Sequence, residues 1–273
     1  MADSALTPDE VGEFYDDRGW LWEIFMGQNL HIGYWDGEDP DTDPKDRLTD
    51  VLIERVGLRP GQRLLDVGCG QGRPAVRLAR AAGGEVLGIT VSADQVAKGT
   101  ELAREAGLAD RVRFERVDVM EMPYGDGSFD AAWAIESLMY LADRPAALRE
   151  IARVLAPGGT FVLADYTEAG ELTEEWRKVL AEGFTVDSLP TAAEYAQMFA
   201  EAGLEVVHQE DATEHLRRSA ARIDQLVADN YAKVVEKGGA AFAEEFKTMI
   251  GKVSRLERDH LGYTIVTARK HAS

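Results

Sequence analysis

Cysteine is almost absent. Cys69 is the single one in 273 residues, which excludes an intramolecular disulfide framework. No run of 18 apolar residues occurs, so no membrane-spanning helix is expected. Residues 1–8 hold neither a basic nor an apolar leader region, so a secretory signal is not expected and the cytoplasm is the expected location. Basic residues are scarce: 30 Lys+Arg stand against 49 Asp+Glu, for a formal net charge of −19. Such a surface repels phosphate backbones, and the pairs Arg217-Arg218 and Arg255/Arg258 are scattered, so a nucleic-acid partner is not expected. No histidine lies between His31 and His208. His208, His215 and His260 have no ligand spacing, and no metal is expected. The acidic stretch from Asp36 to Asp46 contains two prolines and no metal-loop spacing, and it reads as a loop.

What is present is regular. Hydrophobic residues make up 45% of the chain, enough for one sizeable core with a cap. Helices are expected over 47–56, 74–82, 93–106 and 145–155. Short apolar strands are expected over 63–67, 85–89, 112–117, 129–135 and 160–164, with Pro157-Gly158-Gly159 ending the fourth helix. This alternation is the signature of an open parallel α/β sheet covered by helices on both faces. After residue 165 the pattern changes to helices over 172–182 and 191–202, a strand over 204–208, and a long helical region over 213–258 divided at Gly238-Gly239. A last strand covers 263–268. The 213–258 region is longer than an ordinary connection and is the natural place for a lid. At the other end, 8–17 reads as a short helix started by Thr7 and Pro8. An aromatic segment follows, and three of the five tryptophans precede residue 36. It either covers a ligand cleft or packs on the sheet edge.

The most informative turn is Leu64-Leu-Asp66-Val-Gly68-Cys-Gly70-Gln-Gly72. It ends the first strand and opens a helix, where backbone approaches a ligand closely and the helix dipole favours an anion. In open α/β sheets ligands bind beyond the carboxyl ends of the strands. The glycine spacing differs from the dinucleotide form, and the Lys-Ser/Thr ending of a phosphate loop is missing. Asp66 would repel a pyrophosphate but could pair with an ammonium group.

With Val117-Asp118, Met122-Pro-Tyr-Gly-Asp126-Gly-Ser-Phe129-Asp130 and Glu150-Ile-Ala-Arg-Val-Leu-Ala-Pro157-Gly158-Gly159, the chain resembles class I S-adenosylmethionine-dependent methyltransferases. Asn29-Leu-His-Ile-Gly-Tyr-Trp35 and Glu136-Ser-Leu-Met-Tyr140 resemble actinobacterial enzymes that modify antibiotics, sugars and isoprenoids. The resemblance implies an α/β fold with a Rossmann-like seven-stranded, mostly parallel sheet flanked by helices and topped by a helical lid. An N-terminal cover would span 1–45 and the methyltransferase domain 46–273, with cap insertions at about 168–202 and 213–258.

The resemblance also implies roles. Gly68, Gly70 and Gly72 would surround the methionyl part of S-adenosylmethionine, with Asp66 near its amino group and Tyr15 closing over its carboxylate. Thr90 stands where relatives carry an acid for the ribose, and Gln95 is a substitute donor. Asp118 would accept from the adenine amine while Val119 packs on the ring. Ala134 would sit beside the sulfonium. The expected reaction is O-methylation of a hydroxyl on an antibiotic scaffold or sugar. The alternatives are C-methylation of an isoprenoid or aromatic carbon, and cyclisation by a chain that retains the cofactor. Relatives that methylate sugars carry a histidine base at the position of Tyr140, and tyrosine is a weak base at neutral pH. Tyr140 could instead orient a hydroxyl or face a cation. The candidate bases rank Glu136, His31, Asp165, each with a structural role as its alternative. The expected partner is a small-molecule acceptor, and the expected state a monomer or homodimer.

Overall fold

A computed structural model describes Leu21, Ile24, residues 29–37 and residues 42–272. Its sheet has seven strands: β1 (Arg63–Val67), β2 (Glu85–Thr90), β3 (Val112–Arg116), β4 (Phe129–Ile135), β5 (Leu155–Glu168), β6 (Leu204–Asp211) and β7 (Leu261–Lys270). They lie in the order β3-β2-β1-β4-β5-β7-β6. The first five pair in parallel, and β7 enters antiparallel between β5 and β6. The expected Rossmann-like, mostly parallel sheet is therefore present.

Strand residues alternate between two buried clusters, as the period of two requires. Leu64, Val86, Ala131, Trp133 and Val162 face α1 (Pro44–Val56), α2 (Arg73–Ala82) and α3 (Ala93–Glu105). Leu65, Leu87, Ala132, Phe161 and Leu163 face α4 (Arg144–Val154) and, further along the sheet, α6 (Ala192–Glu201). Between these two helices in chain order lies α5 (Glu174–Phe184).

Two boundaries differ from expectation for a physical reason. α4 stops at Val154, and the chain extends immediately from Leu155, so Pro157-Gly158-Gly159 lies inside the lead of β5 rather than after a helix. The pairing with β4 is irregular there, which accommodates a proline that cannot donate to the ladder. β5 also runs on to Glu168, because β7 pairs with it from Thr160 to Glu168. At the other end, the acidic stretch is not all loop: Asp43 caps α1 by accepting from Lys45 N–H, and Pro44 takes the first turn.

The long helical region is a hairpin of α7 (Thr213–Gly238) and α8 (Ala240–Asp259), broken at Gly239 as anticipated. Leu21 and Ile24 pack with Val227, Val234 and Ala243 of this hairpin. The segment 29–37 lies against α7 as well. Gly33 N–H donates to Ser219 Oγ at 2.9 Å, Trp35 N–H to His215 Nδ1 at 2.8 Å, and the rings of Tyr34 and His215 stack at 3.8 Å. The expected 8–17 helix and Tyr15 fall outside the described residues. Among the described residues no helix is long and apolar enough to cross a membrane.

Among the described residues, three buried acids, Asp66, Asp165 and Glu257, and the half-buried Glu136 hold their protons tightly. Burial pushes Asp66, Asp165 and Glu257 up to about 7 and Glu136 up to about 8. Each binds its proton more tightly folded than unfolded. Their contribution to stability is therefore complete below the ordinary carboxyl pKa near 4 and is lost as pH rises through 7 to 8. The midpoint of urea unfolding should fall steadily between pH 5 and pH 8.5. High salt, which screens surface repulsion, should leave that slope in place. A midpoint that is flat or rises over this window contradicts the burial of these groups.

Candidate functional site

A cleft of about 340 Å³ opens at the carboxyl ends of the parallel strands. Val67, Gly68 and Gly70 leave β1 along its floor; Thr90, Ser92 and Gln95 follow β2; Asp118 and Val119 follow β3. Ile135, Glu136, Ser137 and Tyr140 leave β4, and Leu30 approaches from the N-terminal segment.

The glycine turn divides into distinct tasks. Gly68 has φ 72°, and a Cβ there would meet Ser137 Cβ at 2.3 Å. The chain leaving β4 folds tightly over it, and Ser137 Oγ donates to Val67 O at 2.7 Å. Gly70 has φ 53°, and a Cβ would meet only Leu30 Cδ1 at 3.7 Å; this is the open cradle. Gly72 does not line the cleft. It begins α2, where a Cβ would strike the Phe114 ring at 2.4 Å, so its lack of a side chain serves packing. Asp66 also sits behind the wall rather than on it, 2% exposed. The Trp133 indole favours its charged form, and among the described residues neither Asp66 Oδ2 nor Trp133 Nε1 completes a hydrogen bond. Ala134 is fully buried inside β4 and does not reach the cleft.

Beyond β2, Thr90 Oγ1 donates to Gln95 Oε1 at 2.6 Å, and Ser92 Oγ accepts Gln95 N–H at 3.1 Å as the cap of α3. With its proton used on Gln95, Thr90 offers a ligand an acceptor oxygen. Asp118 caps the short turn Val119–Glu121 by accepting Met120 N–H at 2.9 Å. Val119 is buried beside it.

The exit of β4 carries the unusual backbone. Glu136 has φ 48°, a left-handed conformation that costs a non-glycine residue about 1–3 kcal/mol. Its N–H donates to Ala164 O at 2.8 Å. Its Oε1 accepts from Ile32 N–H at 2.8 Å and from the Tyr263 hydroxyl at 2.9 Å. Burial raises the Glu136 carboxyl to about 8 against these two donors. Tyr140 ends the turn Leu138–Tyr140 on the same cleft. The two share one cleft through this kink and turn.

The other two candidate bases are not on the cleft. His31 is 3% exposed, with Nδ1 at 2.8 Å from Ile32 O and Nε2 at 3.4 Å from Thr49 Oγ1. Burial lowers it to about 4. Asp165 is fully buried and accepts from Met139 N–H at 3.0 Å, Tyr166 N–H at 2.9 Å and the Tyr195 hydroxyl at 2.9 Å. Both are consumed by structure. Cleft residues missed by sequence reading include Leu30, Ser137 and Asp143. Ser137 and Asp143 flank the β4 exit and could have been found from the strand-end rule; Leu30 arrives from a distant segment and carries no local signal. Among the described residues no group of three His, Cys, Asp or Glu side chains could hold a metal ion.

A family model described as "Methyltransferase domain" matches residues 65–163. The 27-O-demethylrifamycin SV methyltransferase of Amycolatopsis mediterranei (strain S699) is 39% identical over 270 residues, covering 97% of this chain and 98% of that protein. Methyltransferase GfsG of Streptomyces halstedii is 35% identical, over 96% of this chain and 94% of its own. Among solved structures, the [4+2]-cyclase SpnF superposes with a TM-score of 0.85 at 34% identity, over 98% of both chains.

Proposed function

We infer the reaction from one premise: this chain belongs to the family of S-adenosylmethionine-dependent methyltransferases. Two observations fit the cofactor. A buried carboxylate oxygen of Asp66 has no partner among the described residues behind the glycine turn, where it suits an ammonium group reached through water. Gly70 leaves a space in the cleft that any side chain would occupy. Gly68 and Gly70 would hold the methionyl part, Thr90 and Gln95 the ribose, and Asp118 and Val119 the adenine. When bound, S-adenosylmethionine supplies an electrophilic methyl group on a sulfonium.

The reading is O-methylation of a hydroxyl on a small natural product. The observation that carries it is a carboxyl of raised pKa, Glu136, on the same cleft as Gly70 and Asp118. With the methyl supplied by the bound donor, Glu136 would receive the proton that the acceptor hydroxyl gives up. Tyr140 orients the acceptor, while Leu30 and the apolar walls keep water out. The relatives named for rifamycin and GfsG support a natural-product scaffold as the acceptor class. We read residues 1–45 as a cover and 168–202 and 213–258 as caps on a domain spanning 46–273. The same reading takes the protein to be cytoplasmic, a monomer or homodimer, with no nucleic-acid partner.

A second reading is favoured by one observation. The likeness to the cyclase SpnF is as complete as that to the methyltransferases, so a ring-forming reaction with retained cofactor is its competitor. A donor carrying a CD3 group, incubated with the enzyme and a panel of macrolactone, ansamycin and glycoside hydroxyls, separates the possibilities. The expected product carries CD3 on oxygen. CD3 on carbon replaces the reading with C-methylation, and an unlabelled isomer of the acceptor replaces it with cyclisation.

A further inference from the structure

We propose that Tyr263 is a positioning residue for Glu136: from β7 its hydroxyl clamps the carboxyl that receives the acceptor proton and favours its basic form. The inference rests on the reading of Glu136 as the base.

Tyr263 lies 127 positions from Glu136 in sequence, on the strand inserted antiparallel into the sheet. It is 1% exposed, and its hydroxyl donates to Glu136 Oε1 at 2.9 Å. The ring itself is fixed by packing. Tyr263 stands directly opposite Tyr166 in the β5–β7 register, and the two rings meet edge to face at 5.4 Å. A phenylalanine would fill that space equally well. The buried phenol therefore needs another account, and its one proton is spent on a carboxyl that lines the cleft.

The surroundings of Glu136 explain what such a donor does. Asp165 on β5 and Glu257 on α8 both oppose its ionisation, and burial opposes it more. Tyr166, also on β5, donates its hydroxyl to Glu257 Oε1 at 3.0 Å, and Glu257 Oε2 has no partner among the described residues. On α1, Lys45 is close enough for Glu136 to favour its charged form. Against burial and two acids, the stabilisation of the carboxylate comes from the Lys45 charge and from two hydrogen bonds on one oxygen, from Tyr263 and from Ile32 N–H. Hydrogen bonds to an ionised group favour that form. Ile32 belongs to the N-terminal segment, while Tyr263 belongs to the rigid sheet. Tyr263 is thus the fixed half of the clamp, and it holds a side chain whose own backbone sits in a left-handed conformation.

The test is Tyr263→Phe in the full-length protein. Glu136 is followed by carboxyl carbon-13 resonance, assigned with Glu136→Gln. Loss of one hydrogen bond to the charged form should raise its titration midpoint by about one pH unit or more. The acid limb of the pH–rate profile should move up by the same amount, with turnover recovering toward wild type at high pH and cofactor affinity changing little. In a Glu136→Gln background, adding Tyr263→Phe should cost almost nothing further. An unmoved titration midpoint in folded Tyr263→Phe overturns the proposal, as does a fully multiplicative loss in the double variant. Should Tyr263→Phe fail to fold, 3-fluorotyrosine at 263 keeps the shape and donates more strongly; the midpoint should then fall, and no change overturns the proposal. The two ideas fail separately: near-normal chemistry in Glu136→Gln is the failure of the base reading, and a stationary carboxyl titration is the failure of the Tyr263 assignment.

Discussion

Gly70→Asp is expected to abolish binding of S-adenosylmethionine while leaving the protein folded. The backbone at Gly70 is left-handed at φ 53°, a conformation that aspartate adopts more readily than most residues, at a cost of roughly 1 kcal/mol. A Cβ there meets only Leu30 Cδ1 at 3.7 Å, an ordinary contact, so nothing in the fold is displaced. The new carboxylate enters the part of the cleft assigned to the methionyl carboxylate. Like charges brought together in a confined site cost several kcal/mol, a loss of about 10²-fold or more in affinity. Isothermal titration with the cofactor and with its demethylated product reads the effect directly, and circular dichroism checks the fold. Gly72→Ala is the informative contrast, since its Cβ would strike Phe114 at 2.4 Å. It should lower the unfolding midpoint and weaken the cofactor only as far as the fold is damaged. Near-native affinity in Gly70→Asp would remove Gly70 from the cofactor site.

That contrast also shows what could be read from sequence and what could not. The strands Arg63–Val67 and Phe129–Ile135 follow from short apolar runs closed by glycine or polar turns, and their bounds need no tertiary knowledge. The glycine turn was legible as a ligand loop for the same local reason. The separate tasks of its glycines were not, because Ser137 reaches Gly68 from the end of β4 and Phe114 reaches Gly72 from β3. The candidate bases divide in the same way. His31 and Asp165 have suitable chemistry and suitable topological positions. Their fate is decided by Thr49 on α1 and by Tyr195 on α6, partners that no spacing rule reveals. The length of β5 likewise depends on β7, about a hundred residues later, which pairs along it as far as Glu168. Local pattern thus identifies elements and the edge of the sheet where the site lies. Long-range packing decides which polar residues at that edge remain available for chemistry.

Glu136→Gln is expected to lower turnover by about 10²-fold or more, the usual range for losing a general base, with little change in cofactor affinity. The amide oxygen of glutamine can still accept from Ile32 N–H and the Tyr263 hydroxyl, so the N-terminal segment stays docked and the left-handed backbone stays held. What is lost is the capacity to receive a proton. Burial raises the wild-type carboxyl to about 8, so below that pH the basic form is the minor one. In the free enzyme kcat/KM should therefore climb about tenfold per pH unit toward that value and level off above it. A bound cationic sulfonium favours the carboxylate, so the matching limb in kcat should lie at lower pH. Glu136→Gln should erase both limbs as well as lower the rate, which separates loss of a base from loss of a contact. Single-turnover kinetics beside cofactor titration makes the measurement. Near-normal chemistry in the glutamine variant dismisses Glu136 as the base. Equal losses of chemistry and cofactor binding would instead assign it to holding the donor. Arrest of transfer by His31→Ala alone, with fold and cofactor site intact, would move proton removal to the N-terminal segment. That last result is disfavoured by a ring 3% exposed, held at Ile32 O and lowered by burial to about 4. A base so weak, with no face on the cleft, would have to be released from the core before it could meet an acceptor hydroxyl.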